Sequence, residues 1–162
     1  MPNSAEATAR MLVSHDDVPL TVFLLTAAGF LPFGALSFGA VFLPAEAQAW
    51  ILPAQHVYAA IILSFLGGIY WGWEFAMTFV QSRPVSPMRL VIGVLPSIFG
   101  WLALFLNGIW PGLALTACFL AWLGYDLWRT QSHSAPRWYP KLRIPVTVAV
   151  AVSLIAPVLL AA

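Results

Sequence analysis

Residues 20–43, LTVFLLTAAGFLPFGALSFGAVFL, contain no charged side chain. A run of this length and character matches the roughly 20 apolar residues that cross a bilayer as a helix. Four further runs follow, at residues 57–80, 90–106, 111–128 and 144–161. The connections between them are short, so consecutive helices are expected to be antiparallel neighbours. The rest of the composition agrees. Hydrophobic residues make up 61% of the chain and charged residues 8%, against about 25% charged in an ordinary soluble domain. The expected fold is an all-α, polytopic transmembrane bundle of five spans. It forms a single domain over residues 20–162, preceded by a short tail at residues 1–19. No internal repeat and no soluble domain are visible.

The basic residues give the bundle a direction. All seven Lys and Arg lie in the N-terminal tail (Arg10), the second connection (Arg83, Arg89) and the fourth (Arg129, Arg137, Lys141, Arg143). In a five-span chain these segments share one side. The first and third connections and the C-terminal end carry none. The positive-inside rule then places the N-terminus in the cytoplasm and the C-terminus outside. The first span is read as retained rather than as a cleaved signal. Its apolar run is too long, and Glu6, Asp16 and Asp17 precede it against Arg10 alone, although PAEA at residues 44–47 resembles a cleavage site. The same acidic tail argues against a mitochondrial transit peptide. A bacterial inner (cytoplasmic) membrane is the expected location.

The second span carries the unusual chemistry. Ala60, Ser64, Gly68, Gly72 and Ala76 recur every fourth position. On a helix they make a narrow stripe where another backbone could approach closely. Glu74 lies about 200° round the axis from Gly72, on a face shared with Tyr70 and Trp71. A carboxylate in a span costs a few kcal/mol unless it is paired, neutralised or wetted. Tyr70, one turn away, is the expected local companion. An indole N–H, or Arg83 or Arg89 reaching inward, would also serve. Asp126, near the inner end of the fourth span, sits three residues before Arg129 and is expected to pair with it locally. Its depth matches that of Glu74, so Tyr70, Trp71, Glu74 and Asp126 together form a candidate ligand or proton site in the inner half of the bundle. A structural role for Glu74 is the expectation set against it. Pro32 and Pro96 should bend the first and third spans.

Several functions are poorly supported. His15, His56 and His133 lie outside or at the ends of spans without metal-ligand spacing, and no pair of them could clamp a haem. Ser64, Ser97 and Ser153 have no intramembrane histidine to activate them. Cys118 is the single cysteine. A net charge of +1 does not point to nucleic acid. No catalytic residue, metal or cofactor is expected. The aromatic and basic fourth connection, WRTQSHSAPRWYPKLRIP, reads as a headgroup anchor with affinity for anionic lipid.

Three stretches together, YAAIILSFLGGIYWG, GVLPSIFGWLALFL and PRWYPKLRIPVTVAVAVSL, resemble the small membrane proteins related to transmembrane protein 69, whose bacterial members are known as a domain of unknown function. The resemblance implies a multi-span inner-membrane protein and supplies no activity, cofactor or catalytic residue. Two functions are therefore carried forward. One is a non-enzymatic accessory or assembly factor that binds another integral membrane protein. The other is a protein that binds a small molecule (a lipid, quinone or solute) or a proton in the inner half of the bundle.

Overall fold

A computed structural model describes residues 17–132 and 138–160. The expectations that fall on Arg10, His15, His133, Arg137 and the rest of residues 1–16 and 133–137 lie outside it, as do residues 161–162. Five helices follow one another: α1 (Leu20–Phe42), α2 (Ala45–Gln81), α3 (Pro87–Ala103), α4 (Trp110–Ser132) and α5 (Tyr139–Leu160). There is no strand among the described residues. Helices α1, α2 and α5 are long and apolar enough to cross a membrane, and α3 is a shorter apolar helix.

Two boundaries differ from the sequence expectation in ways that matter. Helix α2 starts at Ala45 rather than near residue 57 and runs for 37 residues, about 55 Å at 1.5 Å per residue. Pro44 occupies the N-cap position, Glu46 sits in the first turn, and the helix-favouring AEAQAW continues inward. Pro53 falls inside this helix without ending it. At its far end α3 stops at Ala103 instead of 106. Leu104, Phe105 and Leu106 donate to carbonyls three residues back, at 3.1, 3.2 and 3.2 Å. This tight 3₁₀-like turn leads to Gly108 at φ 64°, a conformation glycine adopts without strain.

Helix α2 packs along α3 and against α1. Helix α1 closes onto α5, α5 onto α4, and α4 touches both α2 and α3. The shared core holds Phe33, Ala59, Leu63, Leu115, Phe119, Trp122, Val150 and Leu154. The rings of Phe33 and Phe119 meet edge-on at 6.0 Å across it. The outer faces stay greasy. Leu25 is 69% exposed, Phe38 64% and Phe79 86%, which a bilayer accommodates and water does not.

The α2–α3 seam within the chain does not follow the small-residue stripe. Only Ala60 of that stripe is buried in it, with its Cα 3.3 Å from where a Cβ on Gly100 would sit. Gly68 and Gly72 have nothing within 4 Å of an added Cβ, and Ser64, Gly68, Gly72 and Ala76 are all exposed. The close approach within the chain is at Gly67, whose added Cβ would collide with the carbonyl of Gly93. A Cβ on Gly93 would in turn stand 3.0 Å from the Gly67 carbonyl. Adjacent glycines point 100° apart on a helix, so a one-residue shift moves the seam to another face.

Gln55 ties α2 to α5 and α1. It is fully buried, and its Nε2 donates to the Ser153 carbonyl at 3.0 Å, with the Phe33 carbonyl at 3.5 Å. The reason lies four residues beyond Ser153. Position 157 is a proline and offers no N–H to that carbonyl. A side-chain amide from α2 supplies the missing donor. A second side chain of α2 also reaches α1: the Tyr58 hydroxyl donates to the Gly29 carbonyl at 2.8 Å.

Two stability measurements in mild detergent check these assignments. Gly67→Leu should destabilise the chain by about 1–3 kcal/mol through overpacking against backbone, whereas Gly68→Leu should unfold with the parent. Gln55→Leu should cost about 1–3 kcal/mol by stranding a buried carbonyl. Its cost should shrink in a Pro157→Ala background, where residue 157 regains an N–H for Ser153. Equal losses in both backgrounds would show that Gln55 acts by packing alone.

Candidate functional site

Two carboxylates are buried at the end of the bundle where α2 and α4 finish, Glu74 at 0% exposure and Asp126 at 2%. Each is surrounded by donors brought from elsewhere in the chain.

Glu74 lies on the last two turns of α2. Its Oε2 accepts from Arg83 Nη2 at 3.1 Å and from Arg89 Nη1 at 2.9 Å. Its Oε1 accepts from the Ser86 amide at 2.8 Å. The connection between α2 and α3 therefore folds back over the carboxylate. Ser82, at φ 50°, turns the chain at the C-cap of α2. Arg83 then faces inward, and Pro87 opens α3 so that Arg89 arrives one turn later. One anion thus fixes the loop, the end of one helix and the start of the next. Charge-assisted bonds of this kind are stronger than neutral ones, and removing one partner of a buried pair is costly.

Asp126 joins α2, α4 and α5. Oδ1 accepts from the Tyr70 hydroxyl at 2.6 Å. Oδ2 accepts from Tyr139 at 3.1 Å and from Arg143 Nε and Nη2 at 2.9 and 2.7 Å. Tyr70 also packs its ring against Trp122 and Tyr125, at centroid separations of 5.2 and 5.3 Å. Asp126 takes its cation from Arg143 on α5, not from Arg129 on its own helix.

The four residues expected to share a site are thus divided between neighbours. Tyr70 reaches Asp126 and not Glu74. Trp71 turns to α3, where its Nε1 donates to the Leu90 carbonyl at 3.0 Å, and it is 38% exposed. Glu74 belongs to the α2–α3 loop. Arg83 and Arg89 were among the partners the sequence allowed for Glu74, but Tyr139 and Arg143 were not foreseen for Asp126. They stand four residues apart, on one face of α5 once that helix begins at Tyr139. Starting the span at residue 144 hid the pairing.

Chemically, both carboxylates act as latches. Each accepts three or four hydrogen bonds and faces at least one guanidinium, so neither is a free base. Among the described residues no group of His, Cys, Asp and Glu could hold a metal ion. The Ser153 hydroxyl is spent on the Val150 carbonyl at 2.7 Å. His56 lies beside α4 near Gly112, far along α2 from either acid. Four buried polar atoms have no protein partner among the described residues: Gln55 Oε1, Arg83 Nε, Thr116 Oγ1 and Trp122 Nε1.

The latch role of Glu74 has a direct readout in the Ser86 amide. Glu74→Gln retains an acceptor oxygen and should keep most of the protection of that amide against hydrogen exchange. Glu74→Leu removes the acceptor and should raise its exchange rate by about an order of magnitude or more, since a lost bond of about 1.5–3 kcal/mol to a charged group is involved. Unchanged exchange in Glu74→Leu would mean the loop is held by other contacts.

Comparison with known proteins places this architecture. No solved structure matches the chain. A curated relative, transmembrane protein 69 of Xenopus tropicalis, is 32% identical over 147 residues, covering 86% of this chain and 54% of the relative. The chain therefore spans about half the length of that relative. Residues 18–159 match the family described as protein of unknown function, DUF3429. That match runs from just before α1 to the end of α5, and the chain belongs to this family.

Proposed function

We propose that the chain is a five-span protein of a bacterial inner membrane, with its N-terminus inside, that works without catalysis as an accessory or assembly factor for another integral membrane protein. The observation that carries the reading is the open face of α2. Ser64, Gly68, Gly72 and Ala76 are exposed, and no atom of the chain lies within 4 Å of an added Cβ at Gly68 or Gly72. The Ser64 hydroxyl folds back on the Ala60 carbonyl at 3.1 Å, which flattens the surface further. A face of this kind admits a second backbone closely, and dispersion from close packing is what drives helices together in lipid. The saturation of both buried acids by protein donors supports the same reading, because neither Glu74 nor Asp126 is left as a free base.

Membrane embedding draws on the apolar helices and on the name of the Xenopus relative. The inward N-terminus draws on the seven basic residues, all on one side. The competing reading, a site for a small molecule or proton in the inner half, has one observation in its favour. The buried Trp122 indole N–H, beside Tyr70, lacks a protein acceptor.

Extraction from the native membrane in mild detergent tests the proposal. A second integral protein should co-purify, and Gly68→Leu with Gly72→Leu should abolish that association without lowering the chain's own unfolding temperature. A chain that purifies alone, or an association indifferent to both substitutions, would overturn it. A reporter fused after Leu160 should be active only outside the cytoplasm.

A further inference from the structure

We propose that the Glu74 clamp doubles as a binding site for the phosphate of an anionic phospholipid, held by Arg83 and Arg89 at the inner face. The inference rests on the membrane embedding proposed above and not on the existence of a protein partner.

The charges at the clamp do not balance. One carboxylate faces two guanidinium groups, which leaves a net charge of +1. The Asp126 cluster, by contrast, pairs one carboxylate with Arg143. Each clamp arginine contributes only one of its N–H-bearing nitrogens to Glu74, and a guanidinium carries five donors. Glu74 is sealed, with 1% of its side chain exposed, but 29% of Arg83 and 25% of Arg89 remain open. The pair is therefore fixed from behind by a buried anion while part of each side chain stays open, although Arg83 Nε itself is buried. The first turn of α3, which begins at Pro87 directly between the two arginines, adds positive potential of the same sign.

The surroundings say what kind of anion fits. Phe79 and Val80, just before Arg83, are 86% and 76% exposed, and Met88, next to Arg89, is 67% exposed. A ligand satisfying all of this surface joins an anionic oxygen group to long apolar chains. Guanidinium recognises phosphate oxygens in planar, bidentate geometry. A phospholipid phosphate, with acyl chains along Phe79, Val80 and Met88, meets both demands. A free phosphate meets only the first.

The test measures thermal stabilisation and apparent affinity in detergent micelles doped with phosphatidylglycerol or with phosphatidylcholine. The parent chain should prefer phosphatidylglycerol. Removing an arginine alone would leave Glu74 undercompensated, so the arginines are replaced in a Glu74→Gln background, where no buried carboxylate is stranded. Glu74→Gln by itself should retain the preference. The triple variant Glu74→Gln, Arg83→Gln, Arg89→Gln should lose it, by about fivefold in affinity for each arginine removed. Equal binding of the two lipids by the parent, or an undiminished preference in the triple variant, would overturn the proposal. So would inorganic phosphate reproducing the full stabilisation, which would assign the arginines to a free anion.

Discussion

Glu74 and Asp126 are sealed inside one end of the bundle, and each meets arginine from a later segment of the chain. Hydrocarbon offers no hydrogen bonds, so a carboxylate on a spanning helix must find its donors within the protein. Here the donors come from the loop after α2, from the start of α3 and from the start of α5. The acids thereby determine how three helix ends are placed. Glu74 ties α2 to α3 through Arg83, Ser86 and Arg89. Asp126 ties α4 to α5 and α2 through Arg143, Tyr139 and Tyr70.

The basic residues of the connections therefore serve two purposes. Their placement on one side sets an expected orientation through interactions with the membrane and the insertion machinery. Three of them, Arg83, Arg89 and Arg143, are also the counter-ions that let acids sit beneath the surface. Only side chains of this length can do both, reaching down along apolar stems while remaining near the headgroups.

Much of the fold was legible because long apolar runs allow few alternatives. Five runs became five helices, and the inward direction of Glu74 followed from the cost of leaving it in lipid. The stripe was not legible, because Gly67 and Gly68 are identical to any pattern that counts small residues. Which one meets α3 depends on where Gly93 and Gly100 fall on the facing helix. Gln55 was hidden for a different reason. Its role depends on a carbonyl 98 residues away that is free because of a proline four positions further on. The Asp126 cluster was missed through a helix boundary. Charged and aromatic residues at 139–143 looked like a loop until α5 was seen to begin there, although Tyr139 and Arg143 are spaced to share a face.

The kind of polar partner also changes with depth. At the end of the bundle where α2 and α4 finish the chain uses full charges: Glu74 is within two turns of the end of α2, Asp126 within two turns of the end of α4, and Arg143 in the second turn of α5. Between the two ends of α2, where Gln55 is fully buried, it uses a neutral amide on a neutral carbonyl. The difference follows from desolvation. A guanidinium close to the headgroups keeps part of its hydration, as the partial exposure of Arg83 and Arg89 shows, whereas a charge at the level of Gln55 would lose nearly all of it. The same gradient limits where this bundle could handle a charged ligand. Among the described residues, the interior between Gln55 and Tyr70 is mostly apolar, with Phe33, Ala59, Leu63, Leu115 and Phe119, and its buried polar side chains such as Thr116 are neutral. The excess positive charge is therefore at the rim, on Arg83 and Arg89. The face of α2 that carries Ser64, Gly68 and Gly72 is small and neutral instead.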